Sequence, residues 1–364
     1  MKMTKRKRFA PLMLIIPAAL GLIVLRLSTH WGPGIGGDAT IYITSARNLL
    51  SGNGLGLIGP QGEFRLLPYF PPGFSLMLSL IGLFGIDLVN AAHWLNILLF
   101  AGLILLAGLF VYSISGSSFL ALTAEMLLVF SPILIPVYSW AMSEPLSIFL
   151  GFTSLALMFL YLGDSNRRLL LYASGLLSGL AILTRYSAAA YLGAGALALL
   201  LSNSSQKWRS TLLNLTIYGG LGVIPVASWL YYDFLQTSTL ASRSVESGLG
   251  MADRLVILWP QLKEVATLWL LPESFIYSSP YPPILNLLAL GLAFIVLAGG
   301  GLFVVWKFRK ETSGVIRDEY FRLTMLLSLF VLSYLFVITI VYVTTYPPIT
   351  IGSRMLSPVH ISVL

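Results

Sequence analysis

Residues 2–27 read KMTKRKRFAPLMLIIPAALGLIVLRL, and this stretch decides the fold class. Five cations, Lys2, Lys5, Arg6, Lys7 and Arg8, stand before an apolar run from Phe9 to Leu27. Positive charge marks the cytoplasmic side of a membrane span. The run therefore reads as a span with the N-terminus inside and the chain emerging outside near Ser28. No small-residue cleavage site follows it, so it reads as an anchor, not a removed signal peptide.

The pattern recurs along the chain. Further apolar runs cover roughly 90–112, 118–137, 145–162, 169–184, 186–201, 211–232, 284–306 and 322–345, and a last one begins near 356. Composition agrees: 57% of the 364 residues are hydrophobic and 10% charged, against about 25% charged in a soluble domain. The expected fold is an all-α polytopic membrane protein of about ten spans. There is no cysteine, which excludes disulfides and thiolate metal sites. The net charge of +8 reads as membrane topology, with no nucleic-acid partner.

One run, 72–86, is too short to cross. About 15 residues cover ~22 Å of a ~30 Å hydrocarbon core. If it lies on the outer face, fourteen of the 22 Lys and Arg fall inside, including Arg167-Arg168, Lys207, Arg209 and the Lys307–Arg322 loop. If it crosses, the three later basic loops face outward, against the positive-inside rule. The 72–86 run is therefore expected as a juxtamembrane or re-entrant helix. Residues 169–201 are expected as a hairpin turning at Thr184-Arg185-Tyr186. The whole chain reads as one transmembrane domain, with a first outer loop at 28–89 and a second at 233–283. Asp38, Arg47, Glu144, Arg185 and Arg354 then share the outer face. Prolines at 71–72, 282–283 and 347–348 punctuate helices near the boundaries.

Four short motifs could carry chemistry. Gly36-Gly37-Asp38-Ala39-Thr40-Ile41-Tyr42 puts a carboxylate at a helix start. That suits an N-cap, and it equally suits a base that flanking glycines leave open to substrate. Ser143-Glu144-Pro145 reads as another helix start, with a second carboxylate in the same compartment. Arg185 follows Gly179-Leu180-Ala181-Ile182-Leu183-Thr184, and Arg354 lies in Gly352-Ser353-Arg354-Met355-Leu356-Ser357-Pro358. Each arginine reads either as an interfacial anchor or as a phosphate-gripping guanidinium. Glu125 is expected to snorkel inward. Gly175-Leu176-Leu177-Ser178-Gly179 reads as a small-xxx-small packing face. His30, His93 and His360 are scattered and show no metal-ligand spacing.

These motifs, with Ser45-Ala46-Arg47-Asn48-Leu49-Leu50-Ser51-Gly52-Asn53-Gly54-Leu55, resemble the GT-C glycosyltransferases. The protein O-mannosyltransferases and the lipid A aminoarabinose transferase are familiar members of that group. The resemblance spans the chain and is strongest over about 36–90 and 140–190. It implies a GT-C-like bundle in the plasma (inner) membrane, with its active site on the outer face. It implies transfer of a sugar from a polyprenyl-phosphate donor to a hydroxyl or amine acceptor. Asp38 and Glu144 would be catalytic, Arg185 and Arg354 would bind the donor phosphate, and Tyr42 and Arg47 would support them. Many relatives carry paired acids in the first loop. Here Asp38 is followed by Ala39-Thr40, so no metal ligands are assigned, and dependence on a divalent cation stays open. Relatives also continue through more spans, which implies that a C-terminal part is missing. A lipid or solute transporter or flippase, and a non-catalytic GT-C-like subunit, are the alternative readings. The oligomeric state, the sugar and the acceptor are not legible.

Overall fold

The computed structural model describes residues 12–66, 70–202, 208–237, 251–269, 314–344 and 351–364. The N-terminal cations, the expected span at 284–306, the basic residues 307–310, most of the 233–283 loop and the proline pairs at 282–283 and 347–348 lie outside the described residues.

In chain order the elements are α1 (Ile15–Ser28), α2 (Gly37–Leu50), β1 (Gly56–Ile58), β2 (Phe64–Leu66), α3 (Gly73–Gly82), α4 (Leu88–Ser115), α5 (Ser118–Val129), α6 (Leu134–Ser139), α7 (Glu144–Gly163), α8 (Arg168–Thr184), a 3₁₀ turn (Tyr186–Ala188), α9 (Ala189–Ser202), α10 (Trp208–Thr237), α11 (Met251–Leu268), α12 (Gly314–Thr344) and α13 (Ser353–Val363). Four helices are long and apolar enough to cross a membrane: α4, α7, α10 and Asp318–Thr344 of α12. Shorter apolar helices accompany them, among them α1, α5 and α8. Large apolar side chains such as Ile16, Phe119, Leu332 and Phe336 face outward from the bundle. With its apolar helices, this inverted surface makes the chain an integral membrane protein.

Local sequence explains the boundaries. Asp87 caps α4, its Oδ1 accepting from the backbone N–H of Val89 and of Asn90 at 3.1 Å each. Gly116 closes α4 in the left-handed region, φ 62°. The expected single span at 118–137 is corrected: it is two helices, α5 and the six-residue α6. Pro132 supplies no N–H and disfavours helix in the residue before it. Ser131 Oγ restarts the chain by accepting from Leu134 N at 3.2 Å.

The expected juxtamembrane segment is the ten-residue α3, about 15 Å long and too short to span. It lies along α2. Ser75 and Ser79, one turn apart, donate to the carbonyls of Tyr42 and Ala46 at 3.1 and 3.2 Å. A two-stranded antiparallel hairpin, β1–β2, follows α2 and is tied back by Asn48 Nδ2 to Gly56 O at 2.8 Å. That hairpin left no signal in the sequence reading.

The core forms two clusters. One gathers α1 to α6 with the start of α7 (Leu146, Ile148), the other the rest of α7 through α13 with Ile114 of α4, and Leu150 and Phe152 of α7 touch both. The small-residue face of α8 packs as expected. A Cβ on Gly175 would meet Tyr218 O at 2.7 Å, and one on Gly179 would meet Gly222 O at 2.6 Å, both in α10. Gly179→Leu is therefore expected to overpack this contact and cost about 1–3 kcal/mol. An unchanged melting temperature in detergent would show that the helices can part freely there.

Glu125 departs from expectation. It is fully buried, its carboxylate set against Gly108 of α4 where any Cβ would collide. Among the described residues neither oxygen has a hydrogen-bond partner. It does not snorkel, because the missing Cβ of Gly108 leaves a notch that receives the side chain.

The bundle has two chemically different ends. Helix α7, 20 residues and about 30 Å long, starts at Glu144. It finishes at Gly163, where Arg322 of α12 packs 5.6 Å from the Phe159 ring. Arg167 pairs with Asp164 at 3.0 Å at that same end.

Candidate active site

Four charged residues meet at the other end. Glu144 stands in the first turn of α7 and is 3% exposed. Its Oε1 lies 2.9 Å from Arg185 Nη1 and 2.8 Å from Arg354 Nε. Arg354 also reaches Asp38, Nη2 to Oδ2 at 3.4 Å. The order is Arg185–Glu144–Arg354–Asp38, two cations alternating with two anions. Glu144 is its buried centre: the Arg185 side chain is 21% exposed, Arg354 41% and Asp38 42%.

Each side chain is placed by a break in helical structure. Asp38 is the second residue of α2, whose N-cap is Gly36 in extended conformation. It makes no capping bond, so the N-cap reading gives way to a carboxylate facing Arg354. Gly36 and Gly34 lie under the Trp140 ring, whose nearest atoms are 3.2 and 2.7 Å from where their Cβ atoms would be. Gly34 also bridges in parallel to Trp140: its N–H donates to Ser139 O at 2.8 Å and its carbonyl accepts from Ala141 N at 2.9 Å. The end of α6 and the α6–α7 connection thus hold the loop that presents Asp38.

Ser143 precedes α7 as its N-cap but makes no capping bond. Its hydroxyl serves the cluster: Ser143 Oγ accepts from Arg185 Nη1 at 3.3 Å and donates to Tyr42 Oη at 3.1 Å. Arg185 itself is the extended residue between α8 and the 3₁₀ turn, φ −153°, ψ 125°. Gly73 of α3 abuts this turn, since a Cβ there would lie 2.7 Å from Leu183 O. Arg354 sits in the first turn of α13. The segment before it is anchored where Gln261 Oε1 accepts from Ile351 N at 2.9 Å.

Tyr42 lies one turn after Asp38 and is buried, edge-on to Phe70 and Phe74 at 5.4 Å each. Burial pushes its phenol up to about 12, with the nearby Arg185 cation opposing. Tyr42 is thus a neutral hydrogen-bonding group at physiological pH. Arg47 is not brought to the cluster. It is exposed, nine residues after Asp38 and so on the opposite side of α2. Ser143 and Tyr334 were missed as site residues. Ser143 reads locally as a cap, and Tyr334 lies unmarked inside an apolar run.

Two spaces border the arginines. A cleft of about 10 Å³, room for one water, is lined by Glu144, Arg185, Ser187, Tyr191, Tyr334 and Arg354 among others. A larger groove of about 240 Å³ lies on the α6 side of Arg354. Among the described residues no group of three His, Asp or Glu could hold a metal ion. His93 binds Thr29 and His360 binds Ser131, at 2.7 and 3.1 Å, each away from the cluster.

No family model and no curated protein matches the sequence. Solved structures do. ArnT from Cupriavidus metallidurans bound to undecaprenyl phosphate matches with a TM-score of 0.59 at 14% identity, over 96% of this chain and 58% of that one. The archaeal oligosaccharyltransferase AglB from Archaeoglobus fulgidus, in complex with an inhibitory peptide and a dolichol-phosphate, matches with a TM-score of 0.51 at 13% identity, over 98% of this chain and 50% of that one. The apo form of the Archaeoglobus fulgidus oligosaccharyltransferase gives 0.52 at 14% identity, over 99% and 50%. The chain shares the fold of these solved structures. The chain spans about half the length of these neighbours.

Proposed function

We propose that this protein is a membrane glycosyltransferase that moves a sugar from a polyprenyl-phosphate donor to an acceptor at the outer face of the membrane. The observation that carries the reading is the convergence of Asp38, Glu144, Arg185 and Arg354 from four separate parts of the chain. The neighbours' bound undecaprenyl phosphate and dolichol-phosphate supply the donor class.

The chemistry follows from what glycosyl transfer needs. The bond from the anomeric carbon to phosphate breaks with its electrons passing to phosphate oxygen, through an oxocarbenium-like state. Arg185 and Arg354 stabilise that departing charge. The acceptor oxygen bonds to the anomeric carbon and its proton passes to Asp38. Glu144 is the organiser, since one oxygen holds both guanidiniums side by side. The cluster as it stands is neutral, two cations against two anions. An entering phosphate competes with Asp38 for Arg354 and frees that carboxylate to act as base. Arg47, exposed and outside the cluster, has no part in this scheme. We assign the whole 364-residue chain to one transmembrane domain, with 28–89 and 233–283 as its outer loops.

The direct test is turnover of a labelled polyprenyl-phosphate sugar by the purified protein. Absence of transfer with every prenyl donor would sink the reading. Arg354→Ala is expected to weaken undecaprenyl phosphate binding by about 1.5–3 kcal/mol through loss of a charged hydrogen bond. Arg354→Lys should restore only part, because an ammonium cannot reproduce the guanidinium fork. Equal affinity in both variants and wild type, measured by calorimetry, would reduce Arg354 to an anchor.

Sidedness is tested by cysteine labelling, which has no background because the chain contains no cysteine. Gln61→Cys in the β1–β2 turn should label from outside and Ser165→Cys, at the basic end, only from inside. The reverse pattern would invert the topology.

A further inference from the structure

We infer that Ser154 of α7 and Ser174 of α8 form a latch that sets the register of these two helices and so places Arg185 against Glu144. Both serines are then positioning residues for the donor phosphate. The phosphate part of this inference rests on the glycosyltransferase reading above, and the latch itself does not.

The latch is reciprocal. Ser154 Oγ donates to the Ser174 carbonyl at 2.8 Å, and Ser174 Oγ donates to the Ser154 carbonyl at 2.9 Å. With its proton on Ser174 O, Ser154 Oγ accepts from Ser178 Oγ at 2.7 Å. The Tyr218 phenol of α10 lies 3.4 Å from Ser178 Oγ and donates to the Tyr191 carbonyl of α9, also at 3.4 Å. Ser154, Ser174, Ser178 and Tyr218 are all fully buried. Four helices thus meet through hydroxyls inside an apolar bundle. A serine or threonine within a helix commonly bonds the carbonyl four residues back, as Thr153 does to Phe149 O at 2.7 Å. Its neighbour Ser154 reaches across to α8 instead.

The register can be followed along both helices. Helices α7 and α8 run antiparallel, so matched positions step in opposite directions. Seven residues back from Ser154 is Ser147, and seven forward from Ser174 is Ala181. These two also meet, Ser147 Oγ donating to Ala181 O at 3.5 Å. Three further steps back on α7 reach Glu144, and four further steps on α8 reach Arg185. The arms from the latch are therefore ten and eleven residues, about 15 and 16 Å. Their near equality brings the two ends level, where Arg185 Nη1 meets Glu144 Oε1 at 2.9 Å. A slide of α8 by one residue would carry the Arg185 backbone about 1.5 Å from that meeting.

Hydroxyls set the axial position because the facing side chains are small. Ser147, Ser154, Ser174, Ser178 and Ala181 leave little ridge to interlock. Between helices in lipid, packing and hydrogen bonds replace the hydrophobic drive. The reciprocal pair satisfies both hydroxyl protons at one register, and any slide breaks both bonds together.

The test uses the full chain with undecaprenyl phosphate as the probe. Ser154→Ala removes one oxygen atom from a buried site. It is expected to weaken binding of the probe about 3- to 15-fold, the span of interhelical hydrogen bonds in membrane proteins. Thr153→Ala, one position away and bonded to its own helix, should bind as wild type does. In an Arg185→Ala background Ser154→Ala should cause no further loss, because it acts through that guanidinium. Unchanged binding in Ser154→Ala overturns the inference. So does an equal loss with and without Arg185, which is what general loosening of the bundle would give.

A second arm reads the register without any ligand. Nitroxide labels on Leu160→Cys of α7 and Leu180→Cys of α8, both exposed, report the separation of the helices along their axes. Ser154→Ala combined with Ser174→Ala should shift or broaden the distance distribution. An unchanged distribution overturns the latch. Failure of the wild type to bind undecaprenyl phosphate, with the distance shift present, would count against the donor reading and support the latch as what places Arg185.

Discussion

Asp38→Asn should abolish sugar transfer, by about 10²–10⁴-fold for loss of a general base, and leave the protein folded. The carboxylate is 42% exposed and its contact to Arg354 is 3.4 Å long. A partly exposed pair of this kind is worth about 0–1 kcal/mol, so the melting temperature should hardly move. The amide keeps the shape and the Arg354 contact but cannot take a proton. Asp38 makes no capping bond in α2, so loss of helix capping cannot account for a loss of activity. Turnover of a labelled polyprenyl-phosphate sugar reads the first effect and thermal unfolding in detergent the second. Near-normal turnover in the Asn variant would remove Asp38 from the chemistry.

The largest effect on stability is expected at Glu144. Its carboxylate is 3% exposed and lies between two guanidiniums at 2.8 and 2.9 Å. Glu144→Ala leaves Arg185 and Arg354 side by side without their shared anion. Breaking a buried pair from one side costs about 3–5 kcal/mol, because the remaining charge is uncompensated. Glu144→Gln keeps the volume but loses the charge, and should be intermediate in stability. The pairing also separates Glu144 from Asp38. An organiser of the arginines should lose undecaprenyl phosphate affinity on substitution, whereas a base should lose turnover and retain affinity. Full stability together with full affinity in Glu144→Gln would show that the two arginines hold their places without it.

Both predictions depend on a meeting that is legible in the sequence only as a shared side. Loop charge and the positive-inside rule put Asp38, Glu144, Arg185 and Arg354 in one compartment. The described helices agree, with Glu144 and Arg322 at opposite ends of α7. Hydropathy breaks at 36–38, 143–144 and 184–186 marked where polar side chains leave apolar helices. The glycines at 175 and 179 announced a close helix contact, since only a missing side chain permits such an approach. These features are local or periodic, and a periodic signal survives in one dimension.

Tertiary packing decided the rest. One carboxylate oxygen takes two guanidiniums because α7, the α8–α9 turn and α13 converge, and no spacing in the chain encodes that. The resemblance implies a supporting role for Arg47, yet helical geometry turns it to the far side of α2. Ser143 reads as a cap, but the cluster offers its hydroxyl better partners in Arg185 and Tyr42. The span expected at 118–137 is broken because Pro132 ends one helix, and the resulting bend carries Trp140 onto the loop of Asp38. Glu125 is buried because Gly108, on another helix, leaves it a notch. The sequence by itself determined a polytopic helical membrane protein with its polar chemistry gathered at one end. Which of those polar groups touch was set by helix convergence, because pairing between distant segments depends on three-dimensional distance and leaves no periodic trace along the chain.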